Sequence, residues 1–364
     1  MAEFYNVSSS PHVRATSSTK DIMRDVLIAM LPAAAFGVWN FGFYSLAVII
    51  LTVAAAVATE YVYCKVAKKP ISIGDYSAAV TGMILALNMP PQIPVWIPIL
   101  GAIFAIVVVK QLYGGLGQNW MNPALAARCF LLISFAGKMT DFTSKQLGFD
   151  SLSTPTPLAA LKATTAVSGA TVSATSGATA AAGSNTFYNL YNLNKLFIGT
   201  IPGTIGEVSV IALLIGAVYL LARKVISFEI PVTYILTVAI FVFIFGEHNI
   251  YFVLGHLFAG GLIFGAFFMA TDYATRPITK LGQILFAVFI GILTGLFRLF
   301  GGSAEGVSYA IIIGNIVVPL LERVTIRKRS EGGRKQHEKR WIYKGCYYTL
   351  LDNSYIRCIT WNSI

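Results

Sequence analysis

The sequence predicts an all-α polytopic membrane protein of about ten transmembrane helices, arranged as an inverted 5+5 repeat. Three observations carry that prediction. Apolar residues make up 56% of the 364 positions and charged residues only 12%, whereas a soluble domain is about a quarter charged. Mean hydropathy is +0.69. Apolar runs close to the ~20 residues needed to cross a hydrocarbon core recur along most of the chain.

Residues 1–21 are polar and read as a cytoplasmic N-terminal segment, with no cleavable signal peptide evident. Spans then follow at 22–40, 43–66, 74–90, 94–112 and 122–137, which make a first five-helix half over 22–137. A polar stretch at 138–204 interrupts the pattern. Spans resume at 207–222, 228–245, 251–270, 282–300 and 305–322, giving a second half over 205–322. The segments 122–137 and 207–222 are short for a full crossing. Helix is the form expected of all ten, because in lipid every backbone polar group must be satisfied within the segment. Residues 323–364 form a basic cytoplasmic tail to which no role is assigned.

Orientation follows from the basic residues of the short loops. Lys20 and Arg24 precede the first span; Lys65, Lys68 and Lys69 follow the second, and Lys110 ends the fourth. Arg223 and Lys224, then Arg276 and Lys280, then Arg323, Arg327, Lys328 and Arg329 continue the series on the same side. The alternate loops around 39–43, 89–94 and 246–250 carry no Lys or Arg. Positive-inside reasoning places both termini in the cytoplasm and the 138–204 loop outside. Two pattern matches suggest the repeat. Thr81-Gly82-Met83 through Pro90-Pro91 is similar to Gly265-Ala266-Phe267 through Pro277, and Gly114-Gly115 is similar to Gly301-Gly302. An odd number of spans per half makes the halves inverted, an arrangement that places sites at their interface.

Lys and Arg outnumber Asp and Glu by 27 to 16, a net charge of +11. Much of that excess flanks spans or lies in the tail, so anionic lipid rather than nucleic acid is the expected partner. Four cysteines (Cys64, Cys129, Cys346, Cys358) and four histidines (His12, His248, His256, His337) show no ligand spacing, and no metal site is expected.

Three groups of residues carry chemistry. Gly114-Gly115-Leu116-Gly117-Gln118-Asn119-Trp120-Met121-Asn122-Pro123-Ala124 places two side-chain amides at the cytoplasmic mouth of the fifth span. Amides offer donor and acceptor together, which suits a heterocycle; the same residues equally suit a turn whose asparagines satisfy freed backbone groups. The second group is the ionisable residues of the spans, Glu60, Asp75, Asp272 and Arg298, since charge at membrane depth is costly and marks function by default. The third is the outer loop, where Ser153-Thr154-Pro155-Thr156, Ser168-Gly169-Ala170-Thr171 and Ser176-Gly177-Ala178-Thr179 each offer a threonine hydroxyl for covalent modification. Only Thr156 has an acidic residue six positions upstream, Asp150. The composition of 163–186 also fits a plain Ala/Ser/Thr linker.

Taken together, several stretches resemble one family: the RnfD component of the Rnf electron-transport complex and its relative NqrB, a component of the sodium-pumping NADH:quinone reductase. The likeness rests on Ser10-Pro11-His12, Asp75-Tyr76-Ser77 leading to Thr81-Gly82, the Gly114–Ala124 motif, Phe267-Phe268-Met269-Ala270-Thr271-Asp272, and Gly301-Gly302 with Glu305-Gly306-Val307. It covers about residues 9–330. The resemblance implies FMN joined through its phosphate to a threonine, here Thr156, in a motif occupied by Asp150, Ser153, Pro157 and Leu158; Pro155 stands where the motif has Ala. It also implies a second, non-covalent flavin, riboflavin, held by Asn119 and Asn122 with Gly114 and Gly115, and Na+ or H+ coupling through Asp272 and Glu60. The implied setting is an ion-translocating ferredoxin:NAD oxidoreductase in the bacterial cytoplasmic (inner) membrane. The implied partners are the other Rnf components (RnfA, RnfB, RnfC, RnfE and RnfG), a flavin transferase, and ferredoxin and NAD through those components. The resemblance makes the chain a redox subunit and not a complete enzyme, with no catalytic residue assigned. The competing reading is an inverted-repeat solute channel or transporter with no redox cofactor.

Overall fold

A computed structural model describes residues 18–70, 72–142, 156–158, 161–162, 193–246, 248–301 and 306–325, all within one compact unit, Met1–Thr325. The first half contains α1 (Thr19–Phe41), α2 (Phe43–Val66), α3 (Ser77–Leu87), α4 (Trp96–Phe104) and α5 (Pro123–Ser134). A π-helical stretch, Ala105–Gln111, continues α4. Of two short helices, α6 (Ala136–Met139) straddles the start of the predicted loop and α7 (Leu193–Ile198) lies inside it, near its end. The second half contains α8 (Val210–Ala222), α9 (Glu229–Phe245), α10 (Ile250–Phe258), α11 (Leu262–Phe264), α12 (Lys280–Leu299) and α13 (Val307–Thr325). A second π-helical stretch, Gly265–Met269, continues α11.

Each predicted span therefore has a helical counterpart, but their lengths are uneven. Among the described residues, α1, α2, α12 and α13 are long and apolar enough to cross a membrane. A fifth candidate is α10 joined to Leu262–Met269, bent by 64° at the break. The remaining five counterparts are shorter apolar helices. Hydropathy averaged over a window does not register where a helix stops, and several runs are cut by local chemistry. At α3 the chain leaves the helix at Asn88-Met89-Pro90, since a proline disfavours helix for the residue before it. At Ala259-Gly260-Gly261 the positive φ of Gly260 (+71°) turns the chain between α10 and α11.

Helix starts follow the sequence signals. Ser18 caps α1 by accepting from the Asp21 amide, and the Asp21 carboxylate accepts from the Ser18 amide, a reciprocal capping box. Asn122 caps α5 with Pro123 in its first turn. Ser209 and Thr279 cap α8 and α12.

In packing, α2 lies against α3 and α4, and α9 against α12. The halves meet where α1 packs on α8 and α5 on α13. A Cβ built on Gly216 would lie 2.1 Å from the Ala29 carbonyl oxygen, so a glycine is required for the approach of α8 to α1. The Arg223 guanidinium binds the Asp25 carboxylate at 3.1 Å across the same contact. On the outside, Leu31, Ile50, Val62, Leu236 and Ile316 are exposed. Apolar residues thus face both inward and outward, the pattern of helices surrounded by lipid.

The 163–186 segment, whose composition fits a linker, lies outside the described residues. Leu158, Leu161, Leu196 and Ile201 are buried in the same core as the helices. Asp150, Ser153, Thr171 and Thr179 lie outside the described residues.

Candidate functional site

Two cavities hold the residues of interest, one at each end of α3. The first has about 740 Å³ of empty space, its open mouth included. Its wall draws on both halves: Ser77, Thr81 and Ile84 from α3, Lys110 from the first π-helical stretch, Asn119 and Asn122 before α5, and Phe267, Phe268 and Asp272 from the second half. Residues separated by some 150 positions thus meet in one pocket, and both π-helical stretches contribute to it. Such stretches are rare and frequently occur at functional sites.

The two asparagines divide the roles that sequence left open between them. The Asn122 Oδ1 accepts from the amides of Ala124 (3.0 Å) and Leu125 (3.4 Å), so it caps α5 while also lining the cavity. The Asn119 Oδ1 is buried and has no hydrogen-bond partner among the described residues. A buried acceptor without a partner costs about 1–3 kcal/mol, and here it borders a cavity able to supply a donor. Gly114 and Gly115 do not line the wall. With φ of +119° and +98° they form the turn after the π-helical stretch, where the Gly115 amide donates to the Lys110 carbonyl at 3.0 Å.

Behind the wall lies a polar network. The Lys110 ammonium donates to Glu60 Oε1 at 2.8 Å and to the Ser77 hydroxyl at 2.6 Å. The same carboxylate oxygen accepts from Gln111 Nε2 at 2.7 Å and from the Ser72 hydroxyl at 2.8 Å. Glu60 is fully buried and Lys110 is 1% exposed. Opposite, Asp272 accepts from the Ala274 amide and the Thr275 hydroxyl, both at 3.3 Å. Asp272 keeps a partly exposed edge. Burial nevertheless raises its carboxyl above the usual range, against those hydrogen bonds and the Arg276 charge.

The second cavity is smaller, about 370 Å³, and is lined by Thr156, Pro157, Leu158, Ile201–Thr204, Glu207, Val208 and Gly260. Leu158 is buried and Thr156 is half-buried in the wall. The Thr204 hydroxyl is buried there with no hydrogen-bond partner. Arg128 joins this cavity to the first half by binding Glu207 at 2.7 Å and also Asn88 Oδ1. Backbone bonds from Gly206 to Leu87 and from Ile205 to Met89 fasten the same segment to the end of α3. With 11 residues, α3 rises about 16 Å between the two sites.

A family profile matches residues 6–331, and it is that of the NQR2, RnfD, RnfE family. The chain belongs to this family. Similar members include the D component of the Na(+)-translocating ferredoxin:NAD(+) oxidoreductase complex of Acetobacterium woodii, 47% identical over 319 residues, covering 88% of this chain and 93% of the relative. The D component of the proton-translocating ferredoxin:NAD(+) oxidoreductase complex of Clostridium ljungdahlii is 44% identical over 326 residues, covering 88% and 94%. The D component of an ion-translocating oxidoreductase complex of Escherichia fergusonii is 34% identical over 367 residues, covering 91% and 99%. A sodium and a proton relative are almost equally similar, so overall likeness to the family does not distinguish the ion.

Of the residues singled out from sequence, Asn119, Asn122 and Asp272 come together in the first cavity, and Thr156, Pro157 and Leu158 in the second. Glu60 lies one side chain behind the first wall. Sequence reading misses Ser77, Lys110, Thr204, Glu207 and Arg128. In sequence Lys110 serves only as a positive-inside marker, although its place at the end of an apolar run is compatible with burial.

Proposed function

We propose that this chain is the flavin-carrying membrane subunit of an ion-translocating ferredoxin:NAD oxidoreductase. In this reading FMN is attached through its phosphate to Thr156, and riboflavin occupies the larger cavity. The observation that carries it is the unpartnered Asn119 Oδ1 on the wall of a cavity built by both halves. An acceptor of that kind fits the imide N–H of an isoalloxazine, and the apolar wall of Ile84, Phe267 and Phe268 fits its ring. Thr204, also unpartnered, offers a donor in the smaller cavity.

When bound, the flavins supply the electron-transfer chemistry. The chain's own residues bind, orient and set the local charge. Asn119 accepts from the ligand, Asn122 holds the start of α5, and Asp272 with Glu60 are the acidic groups for coupling to Na+ or H+. Support for the inverted repeat comes from the contacts. In the first half the second segment packs on the third and fourth and the third on the fifth; in the second half the second packs on the third and fourth, and the third-segment π-helical stretch on the fifth. Across the halves, first meets first and fifth meets fifth. The remaining parts of the reading are both termini in the cytoplasm, the Thr156 cavity outside, and docking to the other Rnf components and a flavin transferase.

The test is peptide mass spectrometry of chain produced together with its flavin transferase, wild type against Thr156→Ala. An FMN-sized addition on the peptide containing residues 150–162, absent from the variant, is expected. Addition at Thr171 or Thr179 instead moves the attachment site; no addition anywhere favours the transporter reading.

A further inference from the structure

Lys110 is a buried cation whose surroundings are asymmetric. It lines the cavity wall, and so does Ser77, to which its ammonium donates at 2.6 Å. The groups that balance its charge lie on the other side. Glu60 and Gln111 do not line the cavity, nor does Asp75, which accepts from the Ser77 hydroxyl at 2.6 Å. Two successive residues of the π-helical stretch, Lys110 and Gln111, converge on one oxygen of Glu60. The ammonium is thus held by hydrogen bonds to two buried side chains. The pair is neutral in sum, but its positive end is the one nearer the cavity. In a low-dielectric wall such an oriented pair acts as a fixed dipole. The other ionisable side chains lining the cavity are Asp272 and Tyr273, contributed by the second half, and the Asp272 carboxylate is already engaged by its own turn.

We propose that Lys110, with Glu60 as its counter-charge, sets the electron affinity of the cavity by stabilising an occupant that has gained negative charge. The inference rests on the flavin reading of this cavity, since a flavin changes charge on reduction and a neutral solute does not. Charge placed near an isoalloxazine is one of the ways a protein tunes that ring. Taking up two electrons and one proton leaves the occupant with one negative charge; the electrons are lost by two reduced iron–sulfur donors of the ferredoxin class and the proton comes from water. Lys110 gives up no proton in the step; it acts through its charge alone. It is therefore a positioning residue for charge and takes no part in the bond changes.

The experiment is a reductive titration of the chain reconstituted with riboflavin, run at fixed pH against reference dyes, with oxidised-riboflavin affinity measured separately by fluorescence quenching. Lys110→Met combined with Glu60→Gln removes both charges and strands neither. The expected result is an at least tenfold loss in the ratio of reduced to oxidised affinity, a shift of about −30 mV for a two-electron couple. Lys110→Arg retains the charge and is expected to stay within threefold of wild type. Lys110→Gln with Glu60→Gln replaces the methionine variant if that one does not fold. An unchanged potential in the charge-free variant, or an equal shift in Lys110→Arg, overturns the role of Lys110 while leaving the flavin reading intact. Failure of wild-type chain to bind riboflavin overturns both.

Discussion

The two cavities are built from different material, and the difference matches what each must do. The larger one is walled by helices from both halves, with side chains held by caps, π-helical stretches and a buried ion pair. The smaller one is walled mainly by the segments Thr156–Leu158 and Ile201–Val208, closed by Gly260 at the break of a bent helix. A ligand without a covalent bond depends on the walls alone, so rigid elements must be pre-organised around it. A tethered ligand needs a hydroxyl that a modifying enzyme can reach, and a connecting segment supplies that. On the proposed reading, rigid elements wall the cavity of the non-covalent flavin and a connecting segment carries the attachment threonine.

That contrast can be broken at several points. The largest effect belongs to Thr156→Ala, which is expected to abolish covalent flavin while leaving releasable riboflavin at the wild-type amount, read by absorbance of the protein and supernatant fractions. Next comes Arg128→Leu. It strands the buried Glu207 carboxylate, and losing one partner of such a pair costs about 3–5 kcal/mol. Thermal unfolding in detergent should show a large loss of stability, with the smaller cavity affected because Glu207 is in its wall. Asn119→Ala should weaken riboflavin binding about tenfold, the worth of a hydrogen bond of ~1.5 kcal/mol. It should not lower the stability of flavin-free protein, because the acceptor it deletes has no partner there.

Asn122→Ala sharpens the contrast by reversing that pattern. Loss of the α5 cap should cost about 1 kcal/mol of stability, with a smaller change in binding than Asn119→Ala, as seen by paired unfolding and fluorescence titrations. The smallest effect is Asp272→Asn. The raised carboxyl of Asp272 titrates above the ordinary carboxylate range, so raising the pH through that range adds negative charge to the wall. Affinity for reduced riboflavin in wild type should therefore fall a few-fold relative to the variant as the pH rises.

Much of the frame is legible in the sequence because hydropathy and turn chemistry act locally. All ten apolar segments contain helix, and the Asn122-Pro123 start lies within the Gly114–Ala124 motif that stands out in the sequence. Helix ends are less legible, because the breaks at Asn88 and Gly260 depend on a few residues inside otherwise apolar runs. For the site, the amide-bearing Gly114–Ala124 motif stands out, but which amide serves the fold depends on where each side chain points. Lys110 is invisible as a site residue. Its partner Glu60 is 50 positions away, and only the packing of α2 against the π-helical stretch brings them together. Thr204 and Glu207 flank the boundary between the polar stretch and the next apolar span, where no local pattern marks them; their place follows from burial against α3 and α5.

The central claim is that this chain holds two flavins by two different means. The most direct measurement denatures protein made together with its flavin transferase, separates chain from supernatant, and quantifies flavin in each. The account predicts one FMN retained per chain and one riboflavin released. Flavin absent from both fractions, with the transferase active on a known substrate, would contradict it.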